Sequence, residues 1–293
     1  GGIVDGQTVR PRPGERRLDV NLNQQQVGLF ARHAIPGTSA NATLAGRYGY
    51  PGLMLALLET GISLDYWDYQ LRVDGGPRRA AWTVFFFGAS DDLKTADDPN
   101  DPDSPMSTMA LFRFHRLDLR LRLGEEDAHG DYRLVFGFDE TKVAGDTFGT
   151  GSWFVDPQAA WRLKLSRWLR LETGLELVVR RNEEAAEAAQ AVGNVADASQ
   201  AVQEPGLLYN GGAWVQAPLQ PFESLRIIPG VRGDLYANRE AEQWNVDPRL
   251  TVRWRADEAR EVWLKGVVGR YHQPPRLFVP LPGLDQSALE LGL

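Results

Sequence analysis

Few residues of this sequence are of the types that usually carry out catalysis or bind metals. The 293 residues include four histidines, His33, His115, His129 and His272, and no cysteine. No two histidines have the i, i+4 spacing of a helical metal site, and none lies in an HExxH motif. The absence of cysteine excludes thiol catalysis, cysteine-ligated zinc and disulfides. We therefore expect His33, His115 and His129 to be ordinary surface or strand-end residues.

Other catalytic motifs are equally scarce. The sequence contains no GxSxG, P-loop or dinucleotide-binding fingerprint, and no pair of carboxylates stands out from the many present. The acidic run from Asp91 to Asp103 has enough oxygen atoms for Ca²⁺, but it lacks the order of an EF-hand loop, so we interpret it as a solvated loop. The sequence therefore predicts no enzyme activity, no cofactor and no metal site.

The charged residues with regular spacing lie between Ala159 and Arg181. From Leu169 to Val179 every odd position except Thr173 is a large aliphatic residue, and the even positions are mostly charged or small. Strict period-two alternation indicates a β-strand with two chemically opposite faces. A second run, from Trp161 to Leu165, alternates in the same way just before it. The two runs predict a hairpin of long strands with a tight turn at Ser166 and Arg167.

The length of these strands favours a membrane protein. Strands of soluble proteins usually have about five to six residues, whereas a transmembrane β-barrel needs about nine to eleven residues per strand, apolar outside and polar inside. The mean hydropathy of −0.35 fits a barrel, because alternation halves the hydropathy of every strand. No run of eighteen apolar residues predicts a transmembrane helix. The net charge of −7 argues against nucleic acid as a partner.

The rest of the chain shows the same pattern, with about thirteen predicted strands. Short connections follow His33, Val73, Leu123, Leu165, Ala217 and Arg255. Long connections follow Tyr50, Gly88, Phe138, Arg181 and Tyr271. The first long connection contains the apolar segment 51–60, a predicted helical turn. Alternation of short turns and long loops is typical of outer-membrane barrels, where the turns are periplasmic and the loops are external. The sequence thus predicts an all-β protein with an antiparallel transmembrane β-barrel.

Aromatic residues near the strand ends support this interpretation. Those expected at the long-loop ends are Tyr66, Trp67, Trp244 and Tyr271, and those expected at the short-turn ends are Trp161, Trp168 and Trp254. Two such groups are typical of the two interfacial belts of a membrane barrel. In the strand from Leu111 to Leu123, the apolar positions change parity between Phe114 and Leu117, which predicts a β-bulge near His115.

The charged positions of the strands are expected to face the lumen of the barrel. They are Arg120, Arg122, Arg162, Arg170, Glu172, Glu176, Arg249 and Arg253. We expect most of them to form cross-strand ion pairs. At the mouth of the last long loop, Tyr271, His272 and Gln273 are the residues that an arriving ligand could contact.

Three segments resemble the TonB-dependent outer-membrane receptors. The opening GGIVDGQTVRPRPG is similar to the end of the plug domain and the start of the barrel in that family. The segment from Asn245 to Leu250 (NVDPRL) and the later GRYHQPP from Gly269 to Pro275 resemble strands in the middle of these barrels, the second leading into a long external loop. The layout of the whole chain fits the family, whereas the residue-level resemblance is confined to these segments.

The resemblance implies the domain organisation. Residues 1–14 would be the C-terminal end of the plug domain and a linker, and residues 15–293 the N-terminal part of the barrel, about thirteen of twenty-two strands. No initiator Met or signal peptide begins the sequence, and we expect an internal segment of a longer protein, with most of the plug before it and about nine strands after it.

The resemblance also implies a function. The protein would bind a scarce solute at the outer membrane, such as a siderophore, cobalamin, a metal complex or an oligosaccharide, and import it with TonB-transmitted energy. Its partners would be the TonB complex, contacted through the N-terminal region, outer-membrane lipid and lipopolysaccharide, and the solute. Two alternatives stay open. One is a passive porin-like channel or surface adhesin, and the other is an outer-membrane hydrolase, for which only His272 and His115 are suitably placed.

Overall fold

The computed structural model describes residues 14–57, 61–98, 104–143, 148–183, 206–239, 241–257 and 261–272. These residues form fourteen strands and one helix. The elements are β1 (Arg17–Leu22), β2 (Gln26–Ala34), β3 (Asn41–Gly49), α1 (Pro51–Leu57), β4 (Ile62–Gly75), β5 (Ala80–Ala96), β6 (Met106–Gly124), β7 (Ala128–Val143), β8 (Phe148–Lys164), β9 (Arg170–Asn182), β10 (Gly206–Gln216), β11 (Leu219–Phe222), β12 (Leu225–Ala237), β13 (Glu242–Asp257) and β14 (Val262–Gly269).

All strands belong to one antiparallel sheet in which each strand pairs with the next along the chain. The exception is β11, a short strand that pairs only with β12, so that β10 and β12 are neighbours. The sequence predicts only a short connection after Ala217, where β11 lies, and therefore about thirteen strands, whereas the described residues form fourteen. The longest strand, β6, has 19 residues, more than the nine to eleven that a bilayer requires.

The two faces of the sheet differ in composition, and their burial is the reverse of that in a soluble protein. Large apolar side chains are exposed, for example Leu175 (54 %) and Val246 (62 %). By contrast, the carboxylates of Asp118, Asp234 and Asp247 lie on the other face and are 5 % exposed or less. An exposed apolar face on strands of this length is what a surface in contact with the hydrocarbon of a membrane requires. We refer to the two surfaces as the apolar face and the charged face.

Tight turns close one end of the sheet, which we call the short-turn end. The turns after β4 and β6 use Gly76 (φ +82°) and Gly124 (φ +116°), in the left-handed region that favours glycine. A Cβ atom at Gly76 would lie 2.0 Å from the carbonyl oxygen of Ala80, and one at Gly124 would lie 2.3 Å from that of Ala128. Both turns therefore require glycine, for conformational and for steric reasons.

The opposite end, the long-loop end, differs in part from the sequence prediction. The segment 51–60 does contain a helix, α1, which packs against β4. Two predicted long loops are mostly strand, because β5 continues to Ala96 and β6 begins at Met106, while β7 continues to Val143 and β8 begins at Phe148. The predicted long connection after Arg181 and the segment 1–14, predicted to end the plug domain, lie outside the described residues apart from their margins. Among the described residues, no helix combines the length and hydropathy needed to span a membrane.

The predicted bulge near His115 is wrong. Register is continuous through His115, which pairs with Gly88 of β5 and Phe138 of β7. The irregularity lies nearer the long-loop end, where Leu93 pairs with Ala110 but Lys94 pairs with Thr108, leaving one extra residue in β6. The parity change has another cause: Phe114 lies on the charged face, where it packs against other aromatic rings, and His115 lies on the apolar face.

Candidate functional site

The centre of the charged face is an ion cluster around Asp118. Its side chain is 1 % exposed and accepts hydrogen bonds from Arg120 of the same strand and Arg133 of the neighbouring strand, the shortest at 2.6 and 2.9 Å. Arg120 and Arg133 lie directly opposite each other in the β6–β7 register. Like charges in that position repel, so the carboxylate between them stabilises the pairing.

Arg232 of β12 organises a second cluster. Its guanidinium donates to Asp234 two residues further along the strand, at 2.9 Å, and also to Glu176 across the sheet. Gly212 lies between Glu176 and Asp234 in the register, and a Cβ atom there would meet the Arg232 guanidinium at 2.5 Å. The small residue on β10 therefore opens the space through which the side chain reaches two strands away.

The same arrangement recurs in β4. Arg72 donates to Asp74 at 2.6 and 2.7 Å, and Thr83 of β5 donates its hydroxyl proton to the same carboxylate at 2.7 Å. Arg and Asp two residues apart lie on the same face of a strand. This i, i+2 spacing is a local signal in the sequence for Asp74, Asp118 and Asp234, which are absent from the predicted site residues.

Aromatic rings and arginines surround a cavity of about 300 Å³ on the charged face. Its walls include Phe87, Phe114 and Phe154, and its polar residues include Arg116 and Asp156. The Arg116 guanidinium lies 4.7 Å from the centre of the Phe154 ring and 5.3 Å from that of Phe114. Such contacts stabilise a desolvated cation. The cavity therefore combines apolar surface with fixed charges, and most of its charged groups already have partners.

The sheet brings the predicted lumen residues to one face. In the strand register, Arg120 of β6 lies opposite Arg133 of β7, Arg133 lies opposite Gln158 of β8, and Gln158 lies opposite Glu176 of β9. The same row of paired residues continues through β10 and β12 to Asn245 of β13. The residues on this common face include Arg120, Arg122, Arg162, Arg170, Glu172, Glu176, Arg249 and Arg253. Several form the expected ion pairs, such as Arg122 and Arg162 with Asp131 at 2.6 and 3.6 Å.

The predicted ligand contacts after β14 have a different local role. The ring Nδ1 of His272 lies 2.6 Å from one carboxylate oxygen of Asp247, and the backbone N–H of His272 donates to the other at 2.9 Å. The buried carboxylate of β13 thus fixes the chain where it leaves β14. Tyr271 is exposed and Gln273 lies outside the described residues. Ligand contact by Tyr271, His272 and Gln273 stays a prediction.

We expect Asp247→Ala to release this chain segment. The change removes both acceptors, and hydrogen bonds to charged groups contribute about 1.5–3 kcal/mol. Amide hydrogen exchange at His272 should therefore become about tenfold faster or more. The matched control is Asp68→Ala, which removes a carboxylate from a more exposed pair with Arg47 and should not change exchange at His272. An unchanged rate in Asp247→Ala would contradict the assignment.

On the apolar face, aromatic side chains form two bands. Near the long-loop end, Tyr69 hydrogen-bonds to His115 at 2.8 Å within a group that includes Trp67, Phe138 and Trp153. Near the short-turn end, the indole N–H of Trp161 donates to the hydroxyl of Tyr132 at 3.0 Å. Tyr66, predicted to belong to the first band, lies instead on the charged face, where its hydroxyl donates to Gln26.

The spacing of the bands fits a bilayer. His115 of β6 belongs to the first band. Leu123 of the same strand pairs with Gly130 of β7, which pairs with Trp161 of the second band. Eight residues of strand between those levels correspond to about 27 Å, and a tilt of 35–45° reduces this to roughly 20 Å. Membrane barrels have an apolar band about 25 Å tall between aromatic girdles. The two bands therefore lie where such girdles are expected.

Gly88 is required for the packing of the first band. A Cβ atom at this position would lie 2.6 Å from the Phe114 carbonyl oxygen and 2.8 Å from Nδ1 of His115. We expect Gly88→Val to destabilise the folded protein by about 1–3 kcal/mol, measured by urea unfolding in lipid vesicles. Gly266→Val in β14 is the control, because no atom lies within 4 Å of its Cβ position. Equal losses in the two variants would contradict this packing argument.

The described residues contain no group of three or more histidines, cysteines or carboxylates that could hold a metal ion. The imidazole–carboxylate pair at His272 has the geometry with which many proteins orient a histidine. Among the described residues, no serine hydrogen-bonds to the His272 ring. The charged face is a polar wall in which many arginines are paired with carboxylates.

Comparison with protein-family models gave no match, and the curated proteins gave none either. Solved structures gave clear matches. The chain is similar to the siderophore receptor PirA from Acinetobacter baumannii, with a TM-score of 0.63 and 11 % identity over 85 % of this chain and 40 % of the receptor. It is also similar to the ferric enterobactin receptor PfeA from Pseudomonas aeruginosa, with a TM-score of 0.63 and 9 % identity over 89 % of this chain and 44 % of the receptor.

A third similar structure is FpvAI in complex with pyocin S2, with a TM-score of 0.56 and 11 % identity over 85 % of this chain and 40 % of that one. The chain spans less than half the length of each of these proteins. At such low identity the likeness concerns the fold. The described sheet therefore has the fold of part of the β-barrel of these proteins.

Proposed function

We propose that this chain forms part of the barrel of a TonB-dependent receptor, which binds a scarce solute at the cell surface and imports it across the outer membrane. The observation that carries the proposal is the reversed burial of the sheet, with exposed Leu175 and Val246 on one face and buried Asp118 on the other. The similarity in fold to two siderophore receptors supports it. In this proposal residues 1–14 end the plug domain, and residues 15–293 belong to the barrel.

The two faces would have separate roles in that protein. The apolar face, with its two aromatic bands, would contact outer-membrane lipid, and the long-loop end would contact lipopolysaccharide and the solute. The charged face would line the lumen and hold a plug domain through charged contacts. The ion clusters of Asp118 and Arg232 would keep this wall rigid while the plug is remodelled by energy from the TonB complex.

Uptake measurements on the full-length protein test the proposal. Cells with and without the gene would be given labelled ferric siderophores, cobalamin, copper chelates and maltooligosaccharides, each in a TonB-competent and a TonB-deficient strain. We expect uptake of at least one solute class to depend on both the gene and TonB, with a difference of about tenfold or more. Uptake of many small solutes without TonB would instead favour the passive channel, and surface attachment without any uptake would favour the adhesin.

A further inference from the structure

Three cations lie side by side on the charged face of the last three strands. Arg226 of β12 pairs in register with Arg253 of β13, and Arg253 pairs with Lys265 of β14. All three side chains are exposed. We call these three residues the cationic row. Since neighbouring strands are about 4.8 Å apart, the row extends over roughly 10 Å across the strands.

Elsewhere on this face, cations that lie opposite each other have a carboxylate nearby. Asp118 binds both Arg120 and Arg133, and Asp127 binds Lys164 at 3.0 Å, opposite Arg170. The cationic row has no such partner within the described residues, where no carboxylate forms an ion pair with any of its three members. Like charges directly opposite each other on a sheet are destabilising, so the row favours an anionic partner.

Two further arginines and a tryptophan lie close to the cationic row. Trp263 of β14 lies under Arg253, with the guanidinium carbon 4.3 Å from the ring centre, and Arg255 lies 5.5 Å from the same ring. Arg249, further along β13 on the same face, extends over Gly230. Stacking on an indole ring keeps an arginine in place without neutralising it. The guanidinium of Arg253 is therefore partly ordered before any partner binds.

The position of the row restricts what can bind there. Arg226 is the second residue of β12 and Lys265 the fourth of β14, so the row lies near the short-turn end. The cavity of the charged face lies elsewhere, among Phe87, Phe114 and Phe154. Small solutes usually bind in concave, mostly apolar sites. A row of exposed cations outside the cavity is better matched by an acidic polypeptide segment, because a polypeptide can place several carboxylates against one surface.

We propose that the cationic row is a docking surface for an acidic polypeptide segment that reaches the charged face from the short-turn end. Carboxylates of that segment would be paired with Arg226, Arg253 and Lys265, and they would remove the repulsion between the three strands. The inference goes beyond solute uptake, and it rests on the proposed function only in taking the charged face as the wall of a lumen.

Photocrosslinking in the full-length protein tests this inference. Val267 lies on the same face two residues after Lys265 and is 53 % exposed, so a benzophenone amino acid at this position leaves the row intact. After irradiation of outer membranes, we expect crosslinks to a polypeptide segment that contains several Asp or Glu residues, identified by mass spectrometry. In the triple variant R226Q/R253Q/K265Q the yield should fall about tenfold or more.

The control variant R47Q/R79Q/R122Q removes the same number of charges from cations that already have carboxylate partners, and its yield should stay near that of the parent. Three outcomes would overturn the inference: crosslinks to lipid or detergent alone, crosslinks to a neutral or basic segment, and a yield that the triple variant does not reduce. The readout needs no transported solute. Acidic crosslinks without any uptake would therefore support docking while refuting transport.

Discussion

Leu175→Arg should prevent the protein from assembling in membranes. Leu175 lies at the middle of β9 on the apolar face, between Ala159 of β8 and Ala213 of β10, and is 54 % exposed. An arginine that faces lipid at the bilayer midplane destabilises a barrel by about 2–4 kcal/mol. The neighbouring alanines are too short to shield the guanidinium, so we expect an effect in the upper part of that range.

The experiment measures the free energy of unfolding of the full-length protein in lipid vesicles and the amount of protein in outer membranes. Leu175→Met is the control on the same face and should change the free energy by less than about 1.5 kcal/mol. Glu172→Gln is the control on the charged face, because the amide oxygen can still accept the hydrogen bond from Gln216. If the arginine variant assembled as well as these two, the assignment of the apolar face to lipid would be wrong.

Asp118→Asn should cause the second large loss of stability. The substitution removes the negative charge between Arg120 and Arg133, which then face each other across neighbouring strands. Removing one partner of a buried ion pair costs about 3–5 kcal/mol. We expect a loss of about 3 kcal/mol, at the lower end, because the two arginine side chains are 43 % and 39 % exposed and keep part of their hydration.

Two further variants test whether the loss of stability arises from the ion cluster around Asp118. Asp68→Asn weakens the pair with Arg47, in which both side chains are more than a third exposed, and should cost about 0–1 kcal/mol. The double variant D118N/R133Q removes the repulsion together with the carboxylate and should recover part of the loss. A loss in Asp118→Asn no larger than in Asp68→Asn would show that the cluster contributes little to the stability of the sheet.

The sequence predicts the strands well where one face meets hydrocarbon and the other meets charge. The alternation from Leu169 to Val179 falls in β9 from its second residue onward, and the tight turn before it is where the prediction places it. The alternation is lost where strands continue beyond the apolar band. From Ser90 to Ala96 both faces are polar, so period-two alternation disappears although the backbone pairing continues. A polar strand and a polar loop have the same composition there.

The contacts of the charged face could be predicted only in part. Pairs such as Arg232 and Asp234 are visible in the sequence, because residues two apart share a face of a strand. Contacts across strands depend on register, which no local pattern specifies. The bond from Arg232 to Glu176 and the alignment of Arg226 with Arg253 are therefore apparent only in the structure. The same holds for Asp247 and His272, which are 25 residues apart.

Because consecutive strands are neighbours in the sheet, the connections at its two ends can vary to different extents. Lengthening the connection between two strands raises the entropic cost of closing it only slowly, by about 0.6 kcal/mol for each doubling of its length. The connection between β9 and β10 could thus be lengthened at little expense in stability, whereas the turn at Gly124 tolerates almost no substitution. Evolution or engineering could therefore change the length of the connections at the long-loop end while the sheet is preserved.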